Sequence, residues 1–285
     1  IVAAAYDKAG LSDGSNGEAQ RVNDTPGLSD HVAESIDQHR TREEFKDEEV
    51  ASNYSYLSGY CKPTELNAQC NKLRELFPGI GYANQDLLAR IENGEVKLPK
   101  HAEGWFAIPN WKKNSKIFGS TYSAAVQAAL DKINEIRDGK FHNYRAKLID
   151  EEHLRQSARS EKFWDELIEA QGNPDIIIVA AQFGIRHRGR SVRRARVVIE
   201  DTNGEFGLGA FAGGIMLLTH PIRLQHYDDL WIDMSGDEFD VPAESDVRFD
   251  CAPCFVFNGG KVKFGAHWVG YASGRCGSAS GFLPQ

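Results

Sequence analysis

With 285 residues, 41% of them hydrophobic and 26% charged, the chain is long enough for one large domain or two smaller ones. Its composition is close to that of a soluble globular protein. A mean hydropathy of −0.46 and apolar runs no longer than IIIVAA (176–181) and GAFAGGIMLL (209–218) exclude a spanning helix, which needs roughly 20 apolar residues. The net charge of −8 argues against general nucleic-acid binding, and five scattered cysteines argue against a disulfide framework.

The opening IVAAAYDKAG has no Met and no basic leader before its apolar residues, so it is expected to be a processed or truncated end without a signal peptide. DGSNGEAQ and NDTPG make residues 1–26 loose turn and linker chemistry. SDHVAESIDQHRTREEFKDEEV (29–50) reads as a charged helix with a solvated face. CKPTELNAQCNKLRELFPG (61–79) predicts a helix capped by Thr64, with Leu66, Leu73 and Leu76 on one face and Pro78-Gly79 as its stop. NQDLLARIENG (84–94) predicts a short helix ending at Gly94. HAEGWFAIPNW (101–111) is aromatic and non-periodic, as in a packed loop or short strand. STYSAAVQAALDKINEIRDG (120–139) predicts a helix capped by Ser120 or Thr121, with Ala125, Ala129, Ile133 and Ile136 on one face. DEEHLRQSARSEKFWDELIEAQG (150–172) predicts another.

The pattern then changes. PDIIIVAAQFG (174–184) reads as a buried strand, RRARVVIED (193–201) as a second strand, and EFGLGAFAGGIMLLTHP (205–221) as a buried helix despite its glycines. DLWIDMSGDEF (229–239) places Trp231 and Ile232 in a strand. FDCAPCFVFNGGKVKFG (249–265) is a hairpin turning at Asn258-Gly259-Gly260. Helices followed by strands and long loops predict an α+β fold. Three regions are expected: a loose acidic N-terminal segment (1–60), a helical region packing on the core (61–172) and a ligand-binding domain (173–285).

Several constellations could carry chemistry. Cys251-x2-Cys254, His267 and Cys276 have the ligand types of a closed zinc site, against unrelated thiols on one β face. Asp250, Cys254 and His267 could serve as base, nucleophile and orienter of a Cys/His enzyme, although no nucleophile elbow or H-E-x-x-H is present. Gly207-Leu208-Gly209 with Gly213-Gly214 is out of register for a dinucleotide fingerprint, and close helix packing explains it better. IRHRGRSVRRAR carries six Arg between Arg186 and Arg196, enough to hold a polyanion. The competing reading pairs them with carboxylates such as Asp228, Asp229, Asp233, Asp237, Glu238 and Asp240. Those carboxylates could also offer oxygen to a cation, but without EF-hand spacing.

The closing stretch FGAHWVGYASGRCGSASGFLPQ (264–285) is too broken for a helix and mixes His267, Trp268, Tyr271, Arg275 and Cys276 with small residues. No single reaction needs that mixture, whereas a contact surface tolerates it: Tyr and Arg anchor, Ser and Gly adapt. HWVGYASGRCGSASGF, preceded by KVKFG and DLWIDMSGDEF, resembles the C-terminal end of variable proteins of diversity-generating retroelements. The resemblance spans about residues 175–285 and implies a C-type-lectin-like fold whose C-terminal face is rewritten by adenine-directed errors. It implies variable ligand-binding positions at Asp250, Cys251, Cys254, His267, Val269, Gly270, Tyr271, Ser273, Arg275 and Cys276, with Trp268, Lys261 and Lys263 as scaffold. It also implies a non-enzymatic recognition protein without cofactor or metal, whose partner is a protein or cell-surface ligand.

Overall fold

The computed structural model describes residues 42–284. The expectations for residues 1–26 and for most of the charged segment at 29–50 lie outside the described residues. Its described end is not a long helix: only Lys46–Glu48 form a 3-10 turn, entered through Phe45 in a left-handed conformation.

From there the chain builds α1 (Leu66–Leu76), α2 (Gln85–Glu92), strand β1 (Gly104–Pro109) and a one-turn α3 (Ser115–Phe118). Thr64 does not cap α1; its backbone N–H donates instead to His220 Nε2 at 3.0 Å. Asn84 caps α2 by accepting from Leu87 N. Next come α4 (Tyr122–Ile136), the short strands β2 (Phe141–Asn143) and β3 (Leu154–Gln156), α5 (Ala158–Ala170) and β4 (Ile176–Gln182). Thr121 caps α4, and Ala125, Ala129 and Ile133 are buried as expected, while Ile136 lies at its exposed end. The helix expected from residue 150 starts later. Its first residues pair as β3, and Ser157 then opens α5 by accepting from Ser160 N.

RRARVVIED is a helix, not a strand: α6 (Val192–Glu200), capped by Ser191. Its buried Val192, Ala195 and Val198–Ile199 recur at helical spacing, and the arginines between them hid that pattern. After β5 (Glu205–Gly207), α7 (Ala210–Thr219) is apolar on every side and almost wholly buried. A methyl on Gly213 would meet Met234 Sδ at 2.3 Å, so glycine here is a packing requirement. The chain ends with β6 (Trp231–Asp233), β7 (Asp237–Phe239), the hairpin β8 (Cys251–Asn258) and β9 (Lys261–Trp268), β10 (Cys276–Ser278) and β11 (Ser280–Phe282).

These strands form two sheets of an α+β protein. One runs β1-β4-β11-β5 and is antiparallel throughout. The other runs β10-β6-β8-β7-β3, with β9 on the free edge of β8 and β2 beside β9. Strands from both sides of the expected boundary near residue 172 pair in both sheets: β1 with β4, β2 with β9, β3 with β7. Residues 43–285 accordingly form one unit. Its core gathers Phe106, Phe183, Phe206, Phe255 and Phe264 around α7. Among the described residues no helix is long and apolar enough to cross a membrane.

Candidate functional site

The site begins at the hairpin. Gly259 and Gly260 both have positive φ (61° and 74°), which the tight turn requires and which side-chain-bearing residues rarely adopt. The turn sets a register of paired residues from Asn258↔Lys261 to Cys251↔Trp268. Alternation then divides the strands. Phe255 and Phe264, 5.1 Å apart, face the core. Cys254, Gly265 and His267 lie on the other face, which continues across β6 and β10. Asp233 stands opposite Cys254 on one side and Ser278 on the other, and Trp231 stands opposite Cys276.

His267 Nε2 lies 3.3 Å from Asp233 Oδ1. Burial works against the imidazolium, but the Asp233 carboxylate and then Cys254 outweigh it and hold the ring well above the usual histidine range. Both Asp233 oxygens, Ser278 Oγ and Trp231 Nε1 are buried without a well-formed hydrogen bond to protein. The Cys276 thiol is pushed well up, first by burial and then by Asp233.

Around this half-buried histidine stands an aromatic rim. Tyr271 is half exposed, its ring 5.5 Å from that of His267. The Arg275 guanidinium lies 4.6 Å from the Tyr227 ring, 5.3 Å from Tyr54 and 5.7 Å from Trp231, and it donates to Tyr227 Oη at 2.6 Å. The backbone of Arg275 is steadied by Ser273 Oγ, which accepts from its N–H at 3.2 Å. Trp268 is 41% exposed but fixed: its Nε1 donates to Asp250 at 2.6 Å, and Arg193 stacks 4.8 Å from the ring.

The expected display residues therefore divide. Tyr271 is exposed, and Asp250, His267, Ser273 and Arg275 are partly so. Cys251, Cys254, Val269, Gly270 and Cys276 are buried. Val269 packs with Val192 and Ala252. Gly270 lies under Trp268, whose ring a Cβ would meet at 2.4 Å. Lys261 is exposed, and Lys263 reaches to within 5.6 Å of the Tyr144 ring. Tyr54, Tyr227, Trp231, Asp233 and Arg193 join the site without having been singled out for it. Trp231, Asp233 and Arg193 stood in the sequence only as members of a strand, an acidic cluster and the arginine run, and Tyr54 and Tyr227 gave no local signal, because strand pairing and loop return bring them all in.

The zinc reading does not assemble. C-x2-C is an odd spacing, so on β8 it sends Cys251 to the core face and Cys254 to the other. Among the described residues no three His, Cys, Asp or Glu side chains are grouped to hold a metal. Cys254 and Cys276 are separated by the intervening β6, about 9–10 Å of sheet, which is beyond disulfide reach. Asp250 serves Trp268, and the carboxylate beside His267 is Asp233.

The arginine run is mostly spoken for, though by acids other than those expected. Glu205, fully buried, accepts from Arg186 Nε at 3.0 Å, contacts His187 Nε2 at 2.8 Å and accepts from Ser280 Oγ at 2.6 Å. Arg190 and Arg194 share Glu49, and Arg193 pairs with Glu48. Arg196 donates to the Ser235 and Asp237 carbonyls. The acidic residues of 229–240 scatter. Asp229 accepts from the backbone N–H groups of Leu57, Ser58, Gln225 and His226. Asp237 accepts from Ala210 N and Tyr122 Oη, and Asp240 pairs with Arg248. Compared with family models, curated proteins and solved structures, the chain matches none.

Proposed function

We propose that this protein is a non-enzymatic recognition protein. In this reading it is a variable protein of a diversity-generating retroelement with a C-type-lectin-like C-terminal region, and the rim of Tyr271, Ser273 and Arg275 is its diversified face. The observation that carries the reading is mechanical. These side chains project from a loop anchored at both ends, by β9 through Trp268–Asp250 and by β10 paired to β6, so they can change without altering core volume. Aromatic and Arg side chains around a fixed base are also the composition of binding hot spots.

Replacing Tyr271, Ser273 and Arg275 together with small polar residues is expected to leave the melting temperature within a few degrees of the native value. Cooperative unfolding lost in that variant would overturn the display reading. On the same reading, an adjacent near-copy of the gene's 3′ end should differ from it at adenines.

A thiol–imidazole enzyme is a second reading, favoured by the meeting of Cys254, His267 and Asp233 on one face. Time-dependent, stoichiometric loss of the Cys254 thiol to iodoacetamide in the native protein would favour it. Protection until unfolding would count against it.

A further inference from the structure

The arginine run and the aromatic rim meet at one place. Of the six arginines from Arg186 to Arg196, Arg188 alone makes no contact with a carboxylate or a buried carbonyl among the described residues. It is exposed, and its one hydrogen bond goes to the carbonyl of Tyr54 at 3.2 Å. Arg275 holds its charge over the ring of that same tyrosine. The backbone brings the two together: Arg188 bridges Gly277, and Gly189 N donates to Cys276 O at 2.9 Å, beside Arg275 in the chain. Among the described residues neither guanidinium has a carboxylate within 4 Å. Asp228, which borders the hollow beside Tyr54, pairs with neither.

The Arg275 guanidinium lies against the rings of Tyr54, Tyr227 and Trp231 and spends Nη1 on Tyr227 Oη, which lies alongside at 2.6 Å, so its five-donor fork is held in place with donors left over for a carboxylate. On a chain of net charge −8, two adjacent guanidiniums with no ion-pair partner among the described residues steer an acidic partner to this place.

We infer that Arg188 and Arg275, set in the Tyr54–Tyr227–Trp231 rim, form a carboxylate-binding subsite through which this face docks an acidic segment of a protein partner. The inference rests on the display reading and adds the partner's chemistry. Arg188 and the three aromatics are a fixed frame, and Arg275 is the diversified element that makes this copy select acidic ligands.

The test uses the full chain and a fluorescein-labelled oligoglutamate peptide, read by fluorescence anisotropy at low salt. Binding is expected to weaken as salt is added. Kd should rise about fivefold or more for Arg275→Gln or Arg188→Gln and more than about tenfold for the pair, as expected when charge-assisted pairs are lost. Arg275→Lys, which keeps the charge and loses the fork, should fall between native and Arg275→Gln. Lys261→Gln, an exposed cation on the hairpin turn, should bind as the native protein does. No binding by the native chain, or an equal loss in Lys261→Gln, overturns the inference. So does tighter binding of an oligothymidylate than of oligoglutamate, which would assign the subsite to nucleic acid. If the triple variant at Tyr271, Ser273 and Arg275 folds normally while oligoglutamate fails to bind the native protein, the display reading stands and the acidic partner alone falls.

Discussion

The two faces of the β8–β9 hairpin share one backbone and differ in what holds them. On the core face Phe255, Phe264 and Val262 are fully buried, and Phe255 packs close to Gly213 of α7. On the opposite face the same strands carry Lys261, Lys263 and Gly265, then Cys254 and His267 where β6 and β10 extend the sheet with Asp233, Cys276 and Ser278. The first face is held by volume and the second by a few charge and hydrogen-bond contacts. One face can thus fix the fold while the other is left to chemistry.

The contrast can be broken from the core side first. Phe264→Ala should cost about 3–5 kcal/mol, read by denaturant unfolding, because the cavity is enclosed and cannot collapse. A loss below about 1 kcal/mol would show that this face is not the one under volume constraint.

The next effect comes from Asp237, fully buried at the N-terminus of α7 and carried up to about 7, chiefly by burial. An acid raised on folding binds its proton more tightly in the folded state. Its stabilisation is therefore present below about pH 4 and is lost as pH rises towards 7, on the order of 4 kcal/mol over that window. Stability curves of Asp237→Asn and the native chain should converge or cross between these pH values, the native chain losing ground as pH rises. Parallel curves would refute the raised value.

On the second face, His267 is raised too, and its contribution is lost in the same direction, as pH rises, but over a higher window. The contribution is complete below about pH 6.5 and disappears as pH climbs through the higher folded value. The stability advantage of the native chain over His267→Gln should shrink above neutrality by about 1.4 kcal/mol per unit of upward displacement. An advantage that grows with pH would mean that burial, not Asp233, governs the ring. Smallest of all, Lys263→Ser on the same strand should change stability by no more than about 0.5 kcal/mol.

Much of the hairpin was legible because its signals are local. Asn258-Gly259-Gly260 fixes the turn, and alternation fixes the faces. The buried helix α7 was legible from an apolar run interrupted only by glycines and ending shortly before Pro221. The α6 helix was not, because arginines with buried stems occupy positions that a strand reading assigned to polar residues; the Ser191 cap was the available clue. C-x2-C was misleading for a similar reason. Its meaning depends on whether the backbone turns between the cysteines or runs straight, and β8 runs straight. The partners of the arginine run, Glu48, Glu49 and Glu205, and the rim residues Tyr54 and Tyr227 lie far from their contacts in sequence, so no spacing announces them.

The last strand carries a consequence for how such a chain is made. Ser280–Phe282 sits between β4 and β5, bonded to both, so the smaller sheet cannot close until residue 282 has been synthesised. A premature stop or a shifted reading frame anywhere between the hairpin and this strand would leave Ile176–Gln182 bonded along only one edge. A reading frame kept as far as Phe282 is therefore a condition for completing this sheet, whatever side chains the intervening codons specify.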